Sequence, residues 1–122
     1  MKFRSLSAEE SAFIRAVADK FVGPTRDTII SDVLLAKVCP ATSDGSRLTF
    51  DLCGYRRDSD AGQTPLEIEG RMLDSDGAQL SVVLFVDKNE RLLELEFIRW
   101  ETGNLISPDW RSLRVGADYL LP

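Results

Sequence analysis

The sequence predicts an α+β domain: an N-terminal helix packed on a five-stranded antiparallel meander, with a short helical turn in the C-terminal tail. Two observations carry this. Apolar residues recur at helical spacing up to Val22 and alternate with polar ones from about residue 33 onward. Two Ser-Asp-Gly loops, each between alternating runs, mark hairpins. With 122 residues, residues 1–122 form one domain. A composition of 43% hydrophobic and 29% charged residues excludes a disordered chain.

Ser7-Ala8-Glu9-Glu10 is a capping box, and Phe13, Ile14, Val17, Phe21 and Val22 follow on one helical face until Gly23-Pro24 stops the run. Residues 25–31 suggest a second, short helix, against which the β-branched Thr28-Ile29-Ile30 argues. Strands are then predicted at VLLAKVCPAT and RLTFDLC around Ser43-Asp44-Gly45, and at PLEIEGRMLD and AQLSVVLFVD around Ser75-Asp76-Gly77. A three-residue loop with Gly last suits a type I turn followed by a left-handed bulge residue. Closing the second loop at Asp74–Ala78 sets Met72 opposite Leu80, Gly70 opposite Val82, Ile68 opposite Leu84 and Leu66 opposite Val86, which gathers the apolar residues on one face. The first loop pairs Val38 with Phe50, Ala36 with Leu52 and Cys39 with Thr49, while Pro40 suggests an edge strand. Cys53 then faces Leu35, so the two cysteines are offset and expected free. The fifth strand, RLLELEFIRW, turns Leu93, Leu95 and Phe97 inward. Residues 55–64 read as a solvated polar connection, and Ser107-Pro108 as the N-cap and first residue of a helical turn.

The composition also limits chemistry. Without histidine, the Ser-His-Asp and Cys-His triads and every His-ligated metal site are excluded. No metal or other cofactor is expected, and no catalytic motif is legible. A net charge of -5 argues against nucleic acid and anionic membranes. No run is long and apolar enough to span a membrane, and MKFRSLSAEE lacks a signal-peptide core, so a cytoplasmic location is expected. The acidity is concentrated: residues 58–101 hold eleven acidic and four basic side chains.

The register places much of that acidity on the outer sheet face. With Asp87 opposite Leu92, Phe85 sits between Glu67 and Glu94, and Val83 between Glu69 and Glu96. Consecutive same-face carboxylates about 7 Å apart repel by roughly 0.6 kcal/mol even in water, which a cationic partner would relieve. Glu67, Glu69, Val83, Phe85, Glu94 and Glu96 are therefore the candidate partner-binding residues. The plainer alternative is an ordinary wet sheet face. A small-ligand or regulatory domain with a pocket between helix and sheet is another. A third is a carboxylate hydrolase, although a flat face lacks the cleft needed to raise one carboxyl pKa.

Phe3-Arg4-x-Leu6-Ser7-x-Glu9-Glu10, with Ile14-Arg15, resembles the opening of small bacterial proteins of toxin-immunity loci, as does the late Leu92-Leu93-Glu94-Leu95-Glu96. The layout is similar to that of immunity proteins of contact-dependent growth inhibition systems. This resemblance implies an acidic cytosolic protein, not an enzyme, that binds and blocks a cognate toxin domain, often a basic nuclease. Such families share no universal motif, so the resemblance assigns no residue roles.

Overall fold

The computed structural model describes residues 2–116. The capping box forms at its start: Glu10 N–H donates to Ser7 Oγ (3.1 Å), and Ser7 N–H to Glu10 Oε1 (2.8 Å). Both Glu10 carboxylate oxygens also accept from the Arg4 guanidinium at 2.8 Å. Burial opposes ionisation of Glu10 most, yet Arg4 and the Ser7 N–H together hold its pKa below the usual carboxylate range. The chain then runs β1 (Arg4–Ser5), α1 (Ala8–Ala18), α2 (Gly23–Leu35), β2 (Ala36–Pro40), β3 (Arg47–Leu52), β4 (Thr64–Pro65), β5 (Gly70–Asp74), β6 (Gln79–Val86), β7 (Leu92–Arg99) and β8 (Pro108–Val115).

The α+β class holds, but the sheet is larger than five strands and is not a meander. Its order is β1-β2-β3-β7-β6-β5-β8, with β4 pairing β6 beyond the end of β5. The connection after β3 carries the chain past the positions of β7 and β6, so β3 lies beside β7 instead of β5. Both S-D-G hairpins form in the predicted register, including Val38–Phe50, Cys39–Thr49, Met72–Leu80 and Gly70–Val82. Gly45 and Gly77 take φ values of 73° and 88°, as the bulge turn requires. Both cysteines are free, Cys39 buried and Cys53 exposed, and Cys53 N–H bonds Leu35 O.

Several expectations are corrected. Residues 33–35 end α2 and do not begin a strand, and α2 is a full helix of 13 residues. Its β-branched stretch is overruled by packing, since Ile29 and Val33 are buried in the core. Pro40 does not mark the outer edge, because β1 flanks β2. The Ile68–Leu84 and Leu66–Val86 pairs do not form: the register slips by two residues between β4 and β5, Thr64 faces Val86, and Leu66 N–H bonds Leu84 O. Asp87 N–H meets Arg91 O and not Leu92, and a bulge follows. That bulge puts Leu92 in the core and leaves Leu93 half-buried. The tail is no helical turn. Residues 108–115 form β8 along β5, and Trp110 packs edge-on to Phe97 (5.7 Å between ring centroids) and tilted to Phe13 (6.3 Å). Trp110 thus turns toward the core, away from the outer face; the tail beyond residue 116 lies outside the described residues. One core joins Phe13, Ile14 and Val17 of α1 and Ile29 and Val33 of α2 to Val82, Leu84, Leu95 and Phe97 of the sheet, filling the space between helices and strands.

Candidate functional site

Both helices pack on one side of the sheet, leaving the other as the candidate surface. Phe85 lies opposite Glu94 and Val83 opposite Glu96, as the register predicts. On the other flank Phe85 faces Pro65 rather than Glu67, because of the two-residue slip. Glu67 and Glu69 fall in the irregular stretch between β4 and β5. Val83 is 6% exposed and so already covered in the free chain, whereas Phe85 is half-buried. The exposed apolar area comes instead from Ile98 and Trp100, 43% and 52% exposed. Neither is among the six candidate residues that the sequence pattern singles out.

The electrostatics also differ from the expected wall of carboxylates. Arg47, at the start of β3, reaches Glu94 (3.7 Å) and Glu96 (3.6 Å) together. Gln63 Nε2 donates to Glu94 Oε2 at 3.0 Å. Glu69 pairs with Arg71 Nε at 3.2 Å, and the Arg71 guanidinium stacks over the Trp100 ring at 4.6 Å. Trp100 is held in turn by its Nε1–H donating to Ser81 Oγ (3.0 Å). Among the described residues Glu67 has no ion pair. The face is thus a mixed surface: Phe85, Ile98 and Trp100 among carboxylates that two guanidiniums, Arg47 and Arg71, partly neutralise. Arg47 was invisible to the meander register, which set β5 and not β7 beside β3.

Two buried polar knots tie the ends of the sheet. At one end Asp87 accepts from Tyr55 OH (2.6 Å), Arg57 Nη1 (2.8 Å), Asn89 N–H (2.9 Å) and Arg91 N–H (3.0 Å). Burial weighs most against the Asp87 carboxylate, but these donors together keep its pKa below the usual range. Arg57 also donates to Phe50 O and Leu92 O, and Arg91 pairs with buried Asp32 at 2.8 Å while lying 4.2 Å over the Tyr55 ring. Tyr55 and Arg57 are therefore structural clamps, not part of a solvated connection. At the opposite end Asp74 accepts from Ile106 N–H (2.9 Å), Ser107 N–H (2.7 Å) and Arg99 Nη1 (2.8 Å), and Asp44 from Leu105 N–H (3.0 Å). The two hairpin ends thus pin the segment leading into β8. Every buried side-chain nitrogen and oxygen among the described residues has a hydrogen-bond partner. No group of three His, Cys, Asp or Glu side chains among them is arranged to hold a metal ion.

Residues 3–109 match the family model DUF6984, a domain of unknown function, and the chain belongs to that family. No curated protein and no solved structure matches the chain significantly. No helix among the described residues is long and apolar enough to cross a membrane.

Proposed function

We propose that the domain is a binding module, not an enzyme, whose outer sheet face docks a protein partner; concretely, a cytoplasmic bacterial immunity protein that occludes a basic toxin domain. The observation that supports this best is the face itself. It carries exposed Ile98 and Trp100 beside half-buried Phe85, with no helix laid across it among the described residues. Glu94 and Glu96 share one arginine and Glu67 has no ion pair among the described residues, so the carboxylates retain excess negative charge for lysines or arginines of a partner. Val83 serves as packing beneath the contact, and Trp100 and Ile98 supply the exposed apolar area that Val83 does not.

The test uses the toxin domain encoded beside this chain's gene, titrated with the purified protein while toxin activity and affinity are followed. The wild-type chain should block the toxin, with association slowing as salt rises from about 20 to 500 mM. Phe85→Ala and Trp100→Ala should each weaken binding by roughly 2 kcal/mol or more without unfolding the domain. Affinity indifferent to both changes would overturn the docking face, and a neighbour with no toxin domain would overturn the immunity role.

A further inference from the structure

We infer that the groove between β5 and β8 binds an oxyanion of the phosphate-monoester type, independently of the docking proposal above. In the register of β5 and β8, Arg71 stands directly opposite Arg114. Like charges facing each other across an antiparallel pair, with Cα atoms about 4.5–5.5 Å apart, repel. The pairing is produced by a wide irregularity in β8: Leu73 faces Asp109 while Arg71 faces Arg114, so residues 110–113 are all accommodated opposite Met72. Ser112 fastens this bulge, accepting from Leu73 N–H (2.8 Å) and donating to Asp109 O (2.6 Å). The bulge brings a third guanidinium, exposed Arg111, to the same groove of about 600 Å³, alongside Gln79.

Two of the three arginines are positioned by carboxylates. Arg71 is held by Glu69 and by the Trp100 ring, and Arg111 by Asp109 at 3.2 Å. Arg114 has no ion pair among the described residues, and counted over those residues the three arginines face two carboxylates, Glu69 and Asp109. Guanidinium forks suit the several acceptor oxygens of a phosphate, and a dianion between Arg71 and Arg114 turns their repulsion into attraction. Arg71 lies within the residues matched by the family model, and Arg111 and Arg114 lie beyond them.

The experiment is a nuclear magnetic resonance titration of the full chain with inorganic phosphate at constant ionic strength. Saturable shifts are expected at the Trp100 indole N–H, residues 71–73 and residues 111–114. Arg114→Gln should weaken the apparent Kd by about tenfold or more, while Arg26→Gln, on α2 and outside this groove, should leave it unchanged. Because Arg114→Gln also removes a cross-strand repulsion, its melting temperature should equal or exceed that of the wild-type chain. Phenyl phosphate and a phosphoserine peptide then identify the source: tighter peptide binding assigns a phosphorylated protein, and equal or tighter phenyl phosphate binding a small molecule. Shifts that fail to saturate, a Kd unmoved by Arg114→Gln, or a lower melting temperature in that variant would each overturn the proposal.

Discussion

A methyl group added at Gly70 would lie 2.9 Å from both Leu113 Cδ1 and Phe13 Cε1, one on β8 and the other on α1. Three elements converge on this position; Leu113 is half-buried and can shift, but the Phe13 ring is wholly buried and can yield only by disturbing its core neighbours. Gly70→Ala should destabilise the fold by about 1–3 kcal/mol, measurable by thermal or urea unfolding. A second residue-scale consequence concerns Asp87. Removing its carboxylate leaves a mostly buried Arg57 guanidinium with backbone carbonyls but without its anionic partner, and takes the acceptor from the Tyr55 hydroxyl and two backbone N–H groups at once. Asp87→Ala should therefore cost about 3–5 kcal/mol, and replacing Arg57 and Tyr55 as well should recover part of that loss. Neither role was legible from the chain alone. Gly70 read as one more strand residue, and Tyr55 and Arg57 lie 30 or more positions before their partner.

At the scale of the elements, β7 separates fold from surface within one strand. Leu95 is wholly buried, and Phe85, across the β6–β7 pair, points to the opposite side. Leu95→Ala should lower unfolding free energy by about 2–5 kcal/mol, whereas Phe85→Ala should cost far less, as chemical denaturation would show. The sequence made such alternation readable because hairpins are local: a short loop, its glycine and the period of two determine the register together. Features set by distant partners were not readable. The helix over Gly23–Leu35 exists because Ile29 and Val33 find a core and Asp32 finds Arg91, 59 residues away. Ser107-Pro108 has the chemistry of a helix start, yet Asp74 captures the Ser107 N–H and β5 recruits Pro108–Val115 as a strand. The candidate face was legible in its β6–β7 half, Phe85 with Glu94 and Val83 with Glu96. Its other half, with Arg47 at one side and the displaced Glu67 at the other, depended on strand order.

For the whole molecule, the lack of histidine and the depressed carboxylates together determine the response to pH. No side chain with an ordinary pKa titrates between about pH 5 and 8, so unfolding free energy should be nearly flat there. Glu10, Asp74 and Asp87 are held below their usual values, and Asp76, with Arg99 as its main partner, is lowered to about 2. Below about pH 4 the unfolded chain therefore takes up protons before the folded one does, and stability should fall as pH drops further. Denaturant melts at pH 7, 5, 4 and 3 would check this, and a decline already present between pH 7 and 5 would contradict it.

The neighbouring of β3 and β7 also sets an order of assembly. Arg47 meets Glu96 across 49 positions of chain, while β5, β6 and β7 are joined by short turns. Closing a long loop loses more entropy than closing a short one, so the three-stranded unit should form early and the β2–β3 hairpin dock on β7 late. Pulse-labelled hydrogen exchange during refolding should find amides of Gln79–Val86 protected before those of Arg47–Leu52. Until that late step, the strand edge of β7 stands open, with its backbone donors and acceptors unpaired on one side. A refolding chain held at that stage carries a template for strand exchange, and its losses to aggregation should rise with protein concentration.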